Sequence, residues 1–292
     1  MYELVQAAEN SYYVQSPAKI GLVRTGEKEV CLIDSGSDKD AGRKVRQVLD
    51  KMGWQLQAVY NTHSHADHIG GNKYLQGVTG CKVYAPGLEK AFTKAPVLEP
   101  MFLYGGKPPK ALCHKFLMAQ ESRTEEMTAD TLPAGWEMIP LPGHCFDMVG
   151  FRTPDDVVYL ADCISSRETL EKYQISFLYD VEAYLDTLEK VKSMQARLFV
   201  PSHAEATADI APLAQYNMDK VHEIAENILH FCREKTSFDA LLKKLFDHYR
   251  LTLNMDQYVL VGSTVKSYLC WLMEKEKIVP VFENNQMFWL AM

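Results

Sequence analysis

The sequence predicts an α/β fold whose strands end in side chains able to hold a metal ion. Three observations carry this reading. Four strand-like runs, residues 2–5, 11–14, 20–24 and 30–33, precede an amphipathic helix over 40–52 and a short β-prone run, Gln57-Ala58-Val59-Tyr60-Asn61. A second β region, 136–141, 149–152 and 157–160, gives way to a helical run over 181–194 and a strand over 198–200. Finally, His63, His144, Asp162 and His203 each stand at or just past the end of one of these runs, and a rigid sheet presents a site at one edge by repeating that arrangement.

The first four strands read as a meander, with Thr25-Gly26-Glu27-Lys28 as a turn and Asp34-Ser35-Gly36 breaking the sheet. Gly53 stops the first helix. The stretch Thr62-His63-Ser64-His65-Ala66-Asp67-His68-Ile69-Gly70-Gly71 then packs three imidazoles and a carboxylate into six residues. Zinc and similar ions take imidazole nitrogens at about 2.0–2.1 Å with carboxylate oxygens close by, and this segment supplies both. Asp67 is expected to cap a helix over 68–76, with Gly70 and Gly71 letting the turn pack closely.

A strand over 81–84 follows, and then a Pro- and Gly-punctuated stretch over 87–127 with Pro96, Pro100, Gly105-Gly106, Pro108-Pro109 and a helix-like run over 111–120. It is expected to lie over the mouth of the site, the alternative being an inert packing elaboration. Residues 90–127 carry six basic and four acidic side chains, a local surplus of +2 in a chain of net charge −7. Lys107, Lys110 and Lys115 are therefore candidates for holding an anionic group of a substrate. Thr153-Pro154-Asp155-Asp156 reads as a hairpin turn.

Apolar residues at helical spacing over 209–233 predict a long connecting helix. His114, His222, His230 and His248 read as exposed or capping side chains. Residues 236–292 read as helices over 238–249, 255–261 and 263–275 and two strands, 278–282 and 286–290, a winged-helix-like arrangement. That segment has six basic and six acidic residues, whereas a DNA reader is visibly basic. Packing or homodimerisation is the expected role.

The composition, 47% hydrophobic and 24% charged, is that of a globular protein, and the net charge of −7 argues against non-specific attraction to nucleic acid or anionic membrane. Seven cysteines without a C-x-x-C pair fit reduced thiols. No basic segment leads into an apolar one near the start, and no apolar run reaches eighteen residues, so a cytoplasmic protein without membrane attachment is expected.

On these residues the chain resembles the metallo-β-lactamase superfamily, whose pattern is H-x-H-x-D-H, then His, then Asp, then His; the match covers about residues 1–205. The resemblance implies an αββα sandwich over 1–207 with an insertion at about 87–127, a connecting helix over 208–235 and a winged-helix-like domain over 236–292. By the same resemblance His63, His65 and His144 would hold one metal, Asp67, His68 and His203 the other, and Asp162 would bridge them. Asp34 would support the metal loop from behind. The lactamases of class B mostly carry Cys where Asp162 stands, so the chain is similar instead to the glyoxalase II-like, phosphodiesterase and ribonuclease branches. Cys163 should point away from Asp162. Two features depart from the pattern: the 76 residues from His68 to His144 exceed those of compact glyoxalase II-like members, and Cys145 replaces the usual hydroxyl after the fourth histidine.

Two divalent metal ions are implied, zinc first and iron or manganese next. A shared hydroxide would then attack a small ester, thioester or lactone, with Asp67 as a candidate general base and Asp162 as the bridge. The alternatives are a phosphodiesterase or ribonuclease acting on nucleic acid, and an enzyme similar to the mononuclear-iron persulfide dioxygenases of the superfamily. The lack of a basic, aromatic-interleaved groove weighs against nucleic acid.

Overall fold

In the computed structural model, which describes residues 2–292, two sheets lie face to face with helices on both outer sides. The first contains β1 (Glu3–Gln6), β2 (Ser11–Gln15), β3 (Ile20–Arg24), β4 (Glu29–Ile33), β5 (Gln55–Tyr60), β6 (Lys82–Ala85) and β7 (Glu125–Glu126), in sequence order. The second contains β8 (Glu137–Pro140), β9 (Val149–Arg152), β10 (Val157–Ser165) and β11 (Leu198–His203). β1 to β4 are an antiparallel meander, but β5 and β6 run parallel to β4 because helices connect them.

The alternation of strand side chains builds two separate cores. Cys31 and Ile33 of β4 face the inter-sheet core with Tyr60, Phe151, Tyr159 and Val200, whereas Val30 and Leu32 face the helices. β5 holds one extra residue opposite Val30 and Cys31, so Leu56 and Ala58 lie in different cores although they are two apart. On the first outer side, α1 (Lys39–Met52) buries Ala41, Val45 and Leu49, and α3 (Asn72–Thr79) buries Leu75. Asp38 caps α1 by accepting from the Asp40 and Ala41 amides, and Gly53 ends it in the left-handed region at φ 68°.

The expected single helix after the histidines is instead two short ones, α2 (Ala66–Ile69) and α3. His65, not Asp67, takes the capping position, which leaves the Asp67 carboxylate free for the site. The break falls at Gly70 and Gly71, where the chain passes so close to the 35–38 loop that a Cβ on Gly70 would lie 2.2 Å from the Ser37 carbonyl oxygen. Only glycine fits there.

The 87–127 insertion corrects the sequence reading more substantially. Its helices are α4 (Gly87–Lys94) and α5 (Leu98–Tyr104), and the expected helix over 111–120 is a single 3₁₀ turn, Lys110–Leu112, followed by a loop. Leu112 and Leu117 are both buried in one cluster with Leu103 and Val259. Residues five apart on a helix point about 140° from each other, so a helix here would have exposed one of them. Pro100 sits in the first turn of α5, where its missing N–H costs nothing.

The second outer side is covered by α6 (Arg167–Tyr173), α7 (Val181–Ser193), α8 (Ala211–Phe231), α9 (Phe238–Tyr249), α10 (Met255–Glu274) and the hairpin β12 (Ile278–Glu283) and β13 (Gln286–Ala291). The two helices expected on either side of Gly262 are one, α10. A mid-helix glycine costs only about 1 kcal/mol. Val259, Val261, Val265 and Tyr268 are buried on both sides of it and hold the helix together. Leu241, Leu245, Val265, Tyr268 and Ile278 share one hydrophobic cluster with Leu188 of α7 and Ile224 of α8, so residues 236–292 pack directly on the sandwich. No helix among the described residues is long and apolar enough to cross a membrane.

Candidate metal centre

Four chain segments meet at one edge of the two sheets. The loop after β5 carries His63, His65, Asp67 and His68; the loop after β8 carries His144; Asp162 lies within β10 and His203 ends β11. The Val149 amide donates to the Thr62 carbonyl oxygen at 3.0 Å, fastening the second sheet to the histidine loop. Gly143 has φ 117°, and a Cβ on it would lie 2.3 Å from the backbone nitrogen of Tyr184 on α7, so glycine alone lets the His144 loop seat on that helix.

Asp162 is aimed by a local irregularity. Ala161 has φ 51°, and the pairing of β10 with β11 shifts register on both sides of it. A bulge of this kind re-aims the side chain that follows. Cys163 goes the other way, fully buried in the helix-facing core as the alternation predicts.

All seven sequence candidates come together, as two adjoining groups. His63, His65 and His144 gather with Cys145; Asp67, His68, Asp162 and His203 form the second set; within each, one donor atom per residue lies within 4.8 Å of the others. Asp162 touches both. Its Oδ2 is 3.9 Å from His63 Nε2, 3.7 Å from His144 Nε2 and 3.3 Å from His203 Nε2, and its Oδ1 is 3.1 Å from His68 Nε2.

The hydrogen bonds behind the ring nitrogens decide which nitrogen faces the centre. Asp34, held at φ 64°, accepts from the Thr62 amide, the Thr62 hydroxyl and His68 Nδ1, each at 2.8 Å. Because the Thr62 hydroxyl spends its proton on Asp34, its oxygen accepts from His63 Nδ1 at 2.9 Å. His144 Nδ1 donates to the Phe177 carbonyl oxygen at 3.0 Å, and His203 Nδ1 to the Pro17 carbonyl oxygen at 2.9 Å. Four histidines are thus fixed with the Nδ1–H outward and an Nε2 lone pair inward, the arrangement of metal-ligating imidazoles. His65 is inverted: its Nδ1 faces His63 Nε2 at 3.1 Å and His144 Nε2 at 3.0 Å.

This donor set fits divalent ions. His68 Nε2 and Asp162 Oδ1 are buried without a hydrogen-bond partner among the described residues, although they approach to 3.1 Å out of alignment. Orphaned buried polar atoms of this kind cost about 1–3 kcal/mol each unless an ion or water satisfies them.

Charge divides the two groups. Burial first, then neighbouring histidines, drives His63 well below the usual imidazole range and His65 down to about 3; burial also lowers His144. For His203 burial works against protonation, yet Asp162 and Asp67 overcome it and push the ring up to about 10. His68 is likewise raised, against burial, by Asp162, Asp67 and Asp34. Protons here hold the place that a divalent charge takes.

Two carboxylates at this centre were not singled out in the sequence, and both come from the insertion. Glu89 of α4 is fully buried and accepts from the Ser64 amide at 2.9 Å, the Ser64 hydroxyl at 2.6 Å and the Asp147 amide at 3.1 Å. Glu99 of α5 is buried with Oε1 3.6 Å from His65 Nε2, and burial followed by Glu89 pushes it up to about 8. In sequence both resemble ordinary helix-surface glutamates; no local signal distinguishes them. Cys145 lies with its Sγ 3.2 Å from the same His65 Nε2. Of the lysines expected near the site, Lys115 pairs with Asp38 at 3.0 Å, and Lys107 and Lys110 are exposed.

The sequence comparison agrees with this geometry. A family model described as the metallo-beta-lactamase superfamily matches residues 14–203. The chain belongs to that superfamily. Among curated relatives, the beta-lactamase-like protein 2 homolog of Drosophila melanogaster is 24% identical over 217 residues, 72% of this chain and 66% of its own length. A hydroxyacylglutathione hydrolase of Hyphomonas neptunium is 25% identical over 166 residues, 56% of this chain and 54% of its own length. The chain thus spans between about half and two thirds of these superfamily relatives. Among solved structures, a beta-lactamase domain protein from Burkholderia ambifaria shares the fold over 99% of this chain and 94% of its own, with a TM-score of 0.74 at 16% identity.

Proposed function

We propose that this superfamily member is a metal-dependent hydrolase that cleaves a small ester, thioester or lactone, using two divalent ions held by His63, His65 and His144 on one side and Asp67, His68 and His203 on the other, with Asp162 between them. The observation that carries the reading is the convergence of four imidazole Nε2 atoms on Asp162, with His68 Nε2 and Asp162 Oδ1 left unpartnered among the described residues. When bound, two such ions lower the pKa of a water to about 7 and polarise the oxygen of the scissile group. The protein's own part is positional. Asp162 reaches both groups and sets their spacing. Asp67, 3.2 Å from His203 through Oδ2 and with 43% of its side chain exposed, keeps its carboxylate ionised through His68 and His203 despite desolvation. An ionised, solvent-facing carboxylate there would orient the attacking water. Asp34 acts through Thr62, His63 and His68 and touches no substrate.

Room for a substrate lies beside His203, where an open cavity of about 440 Å³ is lined by Pro17, Lys19, Ser166, Ser202 and Glu205. A small molecule fits that space. The relative named for the hydrolysis of hydroxyacylglutathione supports a thioester within the proposed class. Net charge of −7 supports a small substrate over a nucleic acid. Zinc heads the candidate metals because imidazole nitrogen and carboxylate oxygen are its usual ligands, with iron and manganese next.

Elemental analysis of protein purified without added metal, paired with assays on a thioester panel and on bis-p-nitrophenyl phosphate, tests this reading. Two equivalents of metal and turnover of the thioesters are expected. Turnover of the phosphodiester alone, or full activity after complete chelation, overturns it.

A further inference from the structure

The insertion touches the candidate metal centre through buried carboxylates, a costly choice for a segment with no part in the site. Glu89 and Glu99 stand ten residues apart on α4 and α5 and are both buried. The three donors to Glu89 come from two different ligand loops: Ser64 lies between His63 and His65, and Asp147 follows His144 by three residues. Glu89 therefore registers the insertion against both loops at once, and this places Glu99 beside His65.

His65 differs from the other four histidines in offering Nδ1 to the centre. With an ion at Nδ1, its Nε2 carries the proton and needs an acceptor. Two groups face it, Cys145 Sγ at 3.2 Å and Glu99 Oε1 at 3.6 Å. A thiol sulfur is a weak acceptor, and a carboxyl group is a strong one that keeps a free accepting oxygen in either protonation state. The 3.6 Å separation exceeds a made hydrogen bond. A made bond requires the two atoms to draw closer.

We propose that Glu99 is a positioning residue of the metal centre: it receives the Nε2–H of His65 and so turns Nδ1 toward the ion shared with His63 and His144, while Glu89 holds the insertion in register for that contact. The insertion is on this view a support of the site. This rests on the metal-binding reading above, and it concerns a residue that the H-x-H-x-D-H pattern does not contain.

The test combines ring NMR of the zinc-loaded protein with competitive zinc titration, on the parent, Glu99→Ala, Glu99→Gln and Cys145→Ala, with the thermal midpoint of each recorded. In the zinc-loaded parent the Nε2–H proton of His65 is expected downfield and slow to exchange, and Glu99→Ala should move it upfield and speed its exchange. Affinity for one of the two ions should fall about 10–100-fold in Glu99→Ala, the range for loss of a partner behind a ligand, with the other ion unaffected. Glu99→Gln, whose amide oxygen still accepts, should keep affinity near that of the parent. A purely structural role would instead weaken both ions together and lower the midpoint in both Glu99 variants, and that result overturns the proposal. So does an Nε2–H proton of His65 that Glu99→Ala leaves unmoved, or a loss of affinity in Cys145→Ala with none in Glu99→Ala. A parent that binds zinc and shows the Glu99-sensitive Nε2–H but turns over no thioester overturns the hydrolase reading and leaves the hydrogen bond standing.

Discussion

The loop over residues 62–71 and the insertion over 87–127 serve one centre by different physical means. In the loop, His63 and His68 are oriented from behind by Thr62 and Asp34, just as the Phe177 and Pro17 carbonyls orient His144 and His203 on the neighbouring segments. The insertion has two short helices and a loop that packs through Leu112 and Leu117 onto Val259 of α10, and it reaches the centre through Glu89 and Glu99 alone. What separates them is where the orienting partner sits. The rings of His63, His68, His144 and His203 are oriented by contacts within the αββα frame, whereas the Nε2 of His65 faces Glu99 of a segment that packs on α10.

Removing the shared carboxylate is the strongest way to break that comparison, because Asp162 serves both ligand groups. Asp162→Ala should lower metal content below two equivalents and reduce turnover by more than the about 10–100-fold expected for an outer partner. Metal analysis and kcat/KM on a thioester measure it. Two retained equivalents with parental turnover would mean that Asp162 does not bridge.

Asp34→Ala attacks the sheet-held side alone. It leaves the Thr62 amide, the Thr62 hydroxyl and His68 Nδ1 without their acceptor in a buried place, at about 1–3 kcal/mol for each group left unpaired. Denaturant unfolding of the metal-free protein should show the loss, and metal affinity should fall by about 10–100-fold. A stable variant with unchanged affinity would show that the sheet-held ligands need no such support.

The contrast between these regions is also the contrast in what could be read from the sequence. Apolar, β-prone runs, the H-x-H-x-D-H spacing and candidate ligands at strand ends are local patterns, so the seven ligand candidates and the αββα layers could be read from them. Glu89 and Glu99 were not, because a glutamate on a short helix is normally solvated, and only the tertiary contacts with Ser64, Asp147 and His65 make these two different. The helix expected over 111–120 failed for a related reason: composition favours a helix, but burial of both Leu112 and Leu117 requires a loop. At Gly262 the error ran the other way, since packing along α10 outweighed a weak local break.

A smaller, graded effect distinguishes the two metal groups by pH. His203 in the metal-free fold is raised to about 10, so its contribution to stability is complete below the unfolded value of about 6.5 and is lost as pH rises through about 10. His65 is lowered to about 3; below about 6.5 the unfolded chain takes up a proton that the fold does not, and stability falls with falling pH toward 3. The thermal midpoint of the metal-free protein should therefore be highest near pH 6.5 and decline on both sides, toward about 10 and toward about 3. With zinc bound the alkaline decline should shrink, because the ion takes the place of the His203 proton. Equal alkaline declines with and without zinc would place His203 outside the metal group.

The smallest effect belongs to the lysines of the insertion. We propose that the surplus of positive charge over 90–127 steers an anionic substrate, with Lys107 and Lys110 free to contribute and Lys115 engaged by Asp38. An exposed pair such as Lys115 and Asp38 contributes about 0–1 kcal/mol, so Lys115→Ala should barely change the thermal midpoint. Exposed charges also act over distances screened within about 8 Å at physiological salt, which limits any steering to low ionic strength. Replacing Lys107 and Lys110 together by Ala should then raise KM for an anionic thioester at low salt, leave KM for a neutral one unchanged, and lose its effect as salt is added, with metal content constant throughout. If both substrates respond alike, or neither responds, the insertion's role at the centre is confined to Glu89 and Glu99, and its basic residues are only its solvated surface.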